Sequence, residues 1–198
     1  MRWVQGHSEG KTKYSENAGL LALRQAIAEY LHRTEGLSYD PASQIVVTPG
    51  AMGALFLALK VLLNPGDEVI VNEPCWTNYV QQIRMCGGVP VSVKTNAQRG
   101  FDLDVSAIAE AVTNKTKAII LNSPCNPTGA VASTETLLQL AELAQKQDLV
   151  ILLMRCISTS SLMEDLYSFA SLPGMKELDL VIDSLSKTYA MTGCVSVM

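Results

Sequence analysis

The amino-acid sequence predicts an α/β protein in three layers (α/β/α), with a mostly parallel sheet between two layers of helices. Short runs of Val, Ile and Leu, which are typical of buried parallel strands, alternate with segments of helical periodicity. Gly and Pro residues separate these segments. Because parallel strands are joined by crossover connections that are usually helices, this alternation indicates a mostly parallel sheet.

Each predicted strand is a run of Val, Ile or Leu residues between polar, Gly or Pro residues. These runs lie at residues 45–48, 69–71, 89–93, 118–121, 149–152 and 178–182. Ligands of such sheets bind at the carboxyl ends of the strands, so the residues after each run are the candidates for function.

Each predicted helix has apolar residues at helical spacing and a recognisable start or end. The helices cover residues 20–33, 51–63, 76–86, 105–112 and 137–146. Gly36 ends the first helix, Pro49 and Gly50 open the second, and Ser133 begins a capping sequence before the last. The sequence has no internal repeat and no interdomain linker, so we treat it as one domain.

The composition excludes several classes of protein. The chain has 198 residues, of which 48% are hydrophobic, and a formal net charge of -4. This charge gives no sign of a nucleic-acid partner or an anionic membrane surface, and no apolar run is long enough to span a bilayer. The 5 cysteines form no CxxC pair, so we expect neither a metal site nor a disulfide framework. The start lacks the apolar core of a signal peptide, so the expected location is the cytoplasm.

Lys187 lies in the run Ser-Leu-Ser-Lys-Thr-Tyr-Ala-Met-Thr-Gly, after the predicted strand at residues 178–182. We expect this strand to bring the lysine to a buried position, where lost hydration makes its amine more easily neutral and nucleophilic. Such an amine suits Schiff-base chemistry with a carbonyl cofactor such as pyridoxal phosphate. The alternative is a solvated surface lysine.

Three other strand ends carry candidate side chains. Residues 48–54 (Thr-Pro-Gly-Ala-Met-Gly-Ala) enter a helix, so they form either a phosphate cradle or a tight strand–helix turn. Trp76 follows the strand at residues 69–71 and either stacks on a planar ring or packs in the core. Asn126, in Asn-Pro-Thr-Gly, either directs its amide towards a ligand oxygen or belongs to an ordinary turn.

In this order and spacing, the motifs resemble those of the class I/II aminotransferases, which are pyridoxal-phosphate enzymes of fold type I. The resemblance runs from about residue 10 to residue 193, and the Asn-Pro-Thr-Gly and Ser-x-x-Lys elements are specific in combination. It implies the large domain of such an enzyme, which transfers an amino group between an amino acid and a 2-oxo acid. A lyase or decarboxylase of the same fold is the chemical alternative.

The resemblance also implies a role for each candidate residue. Lys187 would bind the cofactor covalently and carry a proton between the substrate and the cofactor. Contacts with the cofactor phosphate would come from the backbone N–H groups of three residues and from one side chain: Gly50, Ala51, Met52 and Ser184. Trp76 would stack on the ring, and Asn126 would bond the ring hydroxyl oxygen. Tyr14 would reach the phosphate bound by the partner subunit, which implies a homodimer.

The chain departs from the family pattern in two places. Where the family has Ser-Asp-Glu-Val-Tyr, residues 153–157 are Leu-Met-Arg-Cys-Ile, so Met154 replaces the aspartate that holds the ring nitrogen protonated. Ile157 replaces a tyrosine that bonds the ring hydroxyl. Where the family has Trp-Arg-Val-Gly-Tyr, residues 194–198 are Cys-Val-Ser-Val-Met, so Val195 replaces the phosphate-binding arginine.

Frame changes in the coding DNA explain both departures. The family motif encoded as TCT GAT GAG GTG TAT C becomes CTG ATG AGG TGT ATC when its first T is lost, which reads Leu-Met-Arg-Cys-Ile. Loss of one G from TGG CGT GTC GGT TAT G gives TGC GTG TCG GTT ATG, which reads Cys-Val-Ser-Val-Met. The family pattern resumes near Tyr167, so a compensating change is expected just before it.

The chain is about half as long as we expect of this family. An N-terminal segment and the C-terminal small domain are therefore expected to be missing, together with the arginine that binds the substrate α-carboxylate. Residues 1–198 would be a partial pyridoxal-phosphate-binding large domain with exposed apolar surface. The alternative function is a catalytically inactive fragment or pseudoenzyme.

Resequencing the gene tests the frame-change hypothesis. We expect single-base losses near the codons of residues 153 and 194, from which the family motifs can be read in the restored frame. Clean in-frame codons for Met154 and Val195 would contradict it.

Overall fold

Five parallel strands form one sheet in the computed structural model, which describes residues 14–155 and 169–188. The strands are β1 (Glu68–Glu73), β2 (Val89–Lys94), β3 (Thr116–Asn122), β4 (Val150–Met154) and β5 (Asp179–Ile182). Their order across the sheet is β2-β1-β3-β4-β5, and every neighbouring pair is parallel. All five carboxyl ends therefore lie at the same edge of the sheet.

The helices connect and cover these strands. They are α1 (Leu21–Glu35), α2 (Ala51–Leu62), α3 (Thr77–Met85), α4 (Val105–Ala111), α5 (Thr134–Gln147) and the short α6 (Leu185–Thr188). Gly36 ends α1 in the left-handed conformation, with φ 69°. Ser133 caps α5, because its side chain accepts a hydrogen bond from the Thr136 backbone N–H at 3.1 Å.

The core lies on both faces of the sheet, as alternation along buried strands requires. Val71, Ile120 and Leu152 pack on one face with residues of α2 and α3, including Leu55, Leu59 and Ile83. Ile70, Ile119 and Ile151 pack on the other face with residues of α4 and α5, including Ile108 and Leu140. These side chains are fully buried, apart from an exposed fraction of 1% at Val71 and 3% at Ile120. The predicted three-layer architecture is therefore confirmed.

The predicted strand at residues 45–48 is wrong. Ile45 and Thr48 are buried, as the apolar pattern indicates, but the segment belongs to no strand of the described sheet. Its backbone instead bonds a loop, since the Val47 N–H donates to the Ala18 carbonyl at 2.9 Å. A buried loop can have the apolar sequence of a strand. A segment forms a strand only when its backbone also hydrogen-bonds to a neighbouring strand.

Parts of the two departures from the family pattern can be located. Leu153 and Met154 continue β4 and are buried. Ile157 and Val195 lie outside the described residues. Within the described ranges, no helix is both long enough and apolar enough to cross a membrane.

Asp179 is a buried carboxylate at the start of β5. Neither of its side-chain oxygens has a hydrogen-bond partner in the part of the chain that the structure describes. Burial, with a smaller contribution from the Glu177 charge, raises the pKa of Asp179 to about 6. The charged carboxylate therefore lowers the stability of the fold at neutral pH.

Replacing this carboxylate should stabilise the chain in a pH-dependent way. The pKa of Asp179 is higher in the folded chain than in the unfolded chain, so the native state binds the proton more tightly. Proton binding therefore stabilises the fold fully below about pH 4, and this stabilisation is lost as the pH rises through about 6. Asp179→Asn stays neutral and should raise the free energy of unfolding at pH 7.5 by about 1–2 kcal/mol, after allowance for its partial exposure. Urea denaturation at pH 7.5 and pH 4.5 measures this, with the exposed Glu142→Gln as control. An equal change at both pH values would contradict the assignment.

Candidate functional site

The carboxyl edge of the sheet gathers the candidate residues from separate parts of the chain. Trp76 follows β1, Asn126 follows β3, and Lys187 follows β5. Ligands of parallel sheets bind at this edge. The parallel pairing thus places these three candidates at one end of the molecule.

The start of α2 is suited to binding an anion. Gly50, the residue before the helix, has φ 93°, and its position offers no side-chain cap to the first-turn N–H groups. A Cβ at Gly50 would meet no atom within 4 Å, so the approach to the backbone is open. Ala51 and Met52 form the first turn, where uncapped N–H groups and the helix dipole favour negative charge. The Gly50 N–H itself donates to the Thr48 carbonyl oxygen at 3.0 Å, so the N–H groups that fit a phosphate group here are those of Ala51 and Met52.

The ring of Trp76 is partly available to a ligand. Trp76 immediately precedes α3 in extended conformation, and 42% of its surface is exposed. The same helix contacts the start of α2, since the Gln82 side chain donates to the Met52 carbonyl at 3.0 Å. An exposed aromatic ring beside a helix that leads to the anion site suits a planar ligand.

Asn122 holds the loop that carries Asn126. Its side-chain N–H group donates to the Pro124 carbonyl at 3.1 Å and to the Met154 carbonyl at 3.0 Å. Its side-chain oxygen accepts from the Asn126 backbone N–H at 3.0 Å. Asn122 therefore joins the ends of β3 and β4 to the loop. The side-chain amide of Asn126 makes no hydrogen bond within the described ranges.

Ser184 and Lys187 lie after β5 in different surroundings. Ser184 is buried, and its hydroxyl oxygen accepts from the Ser186 backbone N–H at 3.1 Å. Lys187 is exposed in α6, so the expectation that it is buried at a strand end is wrong. The strand ends at Ile182, and the turn that follows carries the lysine to the surface instead.

Charged groups border this edge between β4 and β5. The Arg155 side chain bonds Glu35 at the end of α1 and lies 3.9 Å from a carboxylate oxygen of Asp183. Burial alone lowers the pKa of Arg155, but the hydrogen bond and charge of Glu35 outweigh it and the pKa rises. Burial likewise raises the pKa of Asp183 against the opposing effect of Arg155. Arg155 thus compensates two buried carboxylates and keeps its charge.

Met154 determines how completely the edge fits pyridoxal phosphate. Four groups fit parts of that cofactor. The start of α2 fits the phosphate, the Trp76 ring and the unbonded side-chain amide of Asn126 fit the cofactor ring, and the exposed Lys187 amine fits the carbonyl. Met154 is fully buried in the core and carries no acid for a ring nitrogen. The residues therefore fit the binding and covalent attachment of the cofactor, but not protonation of its ring from this position.

Tyr14 projects from the described part of the chain and is fully exposed. The residues that follow it are held by Arg24, which pairs with Glu16 and donates to the Gly19 carbonyl at 3.1 Å. The same guanidinium donates to the Pro41 carbonyl at 2.7 Å. Arg24 thus fixes the segment after Tyr14 while leaving the tyrosine free to meet another molecule.

Two hollows lie beside the candidate residues. A cavity of about 30 Å³ lies between the loops after β1 and β3, and its lining includes Asn72, Cys75, Asn122 and Cys125. A more open groove of about 550 Å³ adjoins Cys75. The linings of these two hollows include Cys75 and Cys125, which directly precede Trp76 and Asn126, but none of the candidate residues themselves. Within the described ranges, no group of three or more His, Cys, Asp or Glu side chains could hold a metal ion.

Asn122 was not predicted from the sequence, although its position is informative. It is the last residue of β3 and directly precedes the Ser-Pro turn. A polar residue at the end of a buried strand indicates a side chain that bonds neighbouring backbone or a ligand, and this was the signal available in the sequence. Its two roles, as donor and as acceptor, depend on contacts across the sheet that no local pattern encodes.

Removing the Asn122 side chain should loosen this edge of the sheet. Asn122→Ala leaves the Asn126 N–H and the Met154 carbonyl without their partner, so we expect the free energy of unfolding to fall by about 2–3 kcal/mol. Urea denaturation followed by circular dichroism measures the change. The exposed turn residue Asn114, replaced by Ala, is the matched control, and equal losses for the two variants would overturn this role.

Comparisons with known proteins agree with this geometry. Residues 4–197 match the family model described as aminotransferase class I and II. The Bacillus subtilis protein YugH, which is named as an aminotransferase, is 45% identical over 93% of this chain and 48% of its own length. The aspartate aminotransferase of Pyrococcus abyssi is 39% identical over 93% of this chain and 48% of its own length.

Solved structures show the same relationship. A mutant of the Thermus thermophilus aspartate aminotransferase has a TM-score of 0.91 and 38% identity, covering 97% of this chain and 52% of that structure. The chain thus spans about half the length of the relatives that it matches. The family match covers nearly all of its residues. The chain belongs to the class I and II aminotransferase family.

Proposed function

We propose that this chain is the cofactor-binding part of an aminotransferase that moves an amino group between an amino acid and a 2-oxo acid. The observation that carries the proposal is the uncapped start of α2 at Gly50, on a parallel sheet whose carboxyl edge also presents Trp76 and Lys187. The family is generally dependent on pyridoxal phosphate. Amino-acid and 2-oxo-acid substrates follow from that activity.

The chain's own groups would bind and orient the cofactor. The backbone N–H groups of Ala51 and Met52 would hold the phosphate, where the dipole of α2 favours its charge and Gly50 leaves the approach open. The buried Ser184 hydroxyl is a second candidate for this contact. Trp76 stacks against the ring, and Asn126 donates to the ring hydroxyl oxygen from a loop that Asn122 holds in place.

Lys187 would supply the proton transfers. Pyridoxal phosphate, when bound, withdraws electrons from the bond that is broken at the substrate α-carbon. The Lys187 amine would hold the cofactor covalently and, when free, would take and return the proton at the substrate α-carbon. An exposed amine on a short helix beside the carboxyl edge can reach a ligand without rearranging the core.

The rest of the active enzyme would come from other chain segments. The exposed Tyr14 suits a contact with the phosphate of a second subunit, so we propose that the intact enzyme is a homodimer. Residues 1–198 would be part of its large domain, and the small domain would lie in the other half of the relatives' length. We propose the cytoplasm as the location of the enzyme.

One observation favours a second candidate, an inactive fragment of the same family. Met154 is fully buried among apolar side chains where the family pattern has an aspartate. Without an acid at this position, the ring nitrogen loses the partner that keeps it protonated, and the α-proton becomes harder to remove. The chain would then bind the cofactor through Lys187 and turn over slowly or not at all.

Absorption spectroscopy with added pyridoxal phosphate tests cofactor attachment. We expect the purified chain to develop the visible absorption band of lysine-bound cofactor, because the exposed Lys187 follows β5 at the carboxyl edge of the sheet. Lys187→Ala should lose the band. Lys146→Ala, which removes another exposed lysine from the end of α5, is the matched control and should keep it.

Two outcomes separate the candidates. A band that depends on Lys187, together with amino-group transfer by a full-length protein that carries residues 1–198, supports the aminotransferase. The same band without transfer by that full-length protein supports the inactive fragment. A band of equal intensity in the Lys187→Ala variant, or none in any folded variant, would falsify the proposed attachment.

A further inference from the structure

We propose that Cys75 and Cys125 form a site of reversible oxidation, in which hydrogen peroxide joins the two thiols as a disulfide between the loops after β1 and β3. The two cysteines are remote in the sequence and are not part of a CxxC pair. The sheet brings them together, because β1 and β3 are neighbours and both loops leave from their carboxyl ends. This inference does not depend on cofactor binding.

The contact between the loops is direct. The Cys125 thiol donates a hydrogen bond to the Pro74 carbonyl oxygen at 3.5 Å. That carbonyl belongs to the peptide bond that leads into Cys75, so standard bond lengths place the Cys75 Cα no more than about 7.5 Å from the Cys125 sulfur. The Cys125 Cα lies up to about 3 Å beyond its own sulfur, so the two Cα atoms are at most about 10 Å apart. A disulfide requires Cα atoms about 4.4–6.8 Å apart, so we propose that the two loops move towards each other when the bond forms.

Both thiols are accessible to a small oxidant. Cys75 and Cys125 are half-buried free cysteines, and both line the cavity of about 30 Å³ between their loops. A cavity of this size accommodates about two water molecules, which matches the bulk of hydrogen peroxide. Cys75 also borders the open groove of about 550 Å³, which provides an entry from solvent.

The electrostatics fit a reduced resting state. Burial, the Glu73 carboxylate and the nearby Cys125 all raise the pKa of the Cys75 thiol. The Cys125 thiol is held as a hydrogen-bond donor by the Pro74 carbonyl. The raised pKa favours the thiol over the thiolate at Cys75, so this cysteine is reduced in the resting protein.

The reaction balances with one peroxide molecule. One thiolate attacks hydrogen peroxide, the O–O bond breaks, and a sulfenic acid forms with release of hydroxide. The other thiol then attacks that sulfur, the S–O bond breaks, and water leaves. The two sulfurs together lose two electrons, peroxide is reduced to water, and a dithiol reductant reverses the change.

The third described cysteine provides a control within the chain. Cys86 is buried in the core, and its thiol donates to the Phe56 carbonyl at 3.8 Å. Cys86 is absent from the lining of both hollows. It should therefore react slowly with peroxide.

Mass spectrometry of the peroxide-treated chain tests the proposal. The full chain is oxidised, alkylated and digested without reduction, and we expect a peptide pair linked within one molecule through Cys75 and Cys125. The Cys86→Ala variant should keep this link. In Cys75→Ser or Cys125→Ser, the link should disappear and the remaining thiol should be recovered as sulfenic or sulfinic acid.

Further measurements guard against a folding artefact. Circular dichroism verifies that each variant keeps its secondary structure, and dithiothreitol should restore two thiols per chain. At equal extent of thiol oxidation, the native chain should carry this link about tenfold more often than the urea-unfolded chain, because the fold has already closed the segment between the two cysteines. Equal fractions of linked chain in the two states, oxidation of both thiols without a link, or a link only between molecules would overturn the proposal.

Discussion

Parallel pairing of the strands decides where every candidate side chain lies, because it directs the chain to the same edge of the sheet at the end of β1, β3, β4 and β5. The strands are buried on both faces, so their side chains pack in the core and cannot contact a ligand. The residues that follow each strand are therefore the ones that can bind a ligand or react with it. The hydrogen bonds of Asn122 join two of these strand ends to the loop of Asn126.

Much of this architecture could be predicted from the sequence. Pro49 and Gly50 marked the start of α2 correctly, because a residue with φ 93° before a helix requires glycine. Ser133 marked the start of α5 for a similarly local reason. Such signals lie within a few residues of the feature they specify, and the structure confirms them.

The failures involve features that depend on distant partners. The segment at residues 45–48 has the composition of a strand, yet it bonds a loop near Ala18 instead of a neighbouring strand. Lys187 was expected to be buried because it follows an apolar strand, but α6 carries it to the surface. The proximity of Cys75 and Cys125 was also invisible in the sequence, since it arises from the pairing of β1 with β3.

The end of β4 shows that fold and chemistry can be separated. Met154 is an apolar residue in an apolar layer, so the sheet accepts it without a packing cost even though the family pattern has an aspartate there. The neighbouring Arg155 pairs with Glu35 and lies near Asp183, so its charge is also accommodated. A chain can therefore keep the family's fold while losing one group on which catalysis depends.

A crystal structure of the chain with pyridoxal phosphate would test the central claim most directly. The account predicts the phosphate beside Gly50 at the N–H groups of Ala51 and Met52, the ring against Trp76, and a covalent bond to the Lys187 amine. Phosphate bound elsewhere on the chain, or a cofactor held at this edge without a bond to Lys187, would contradict it.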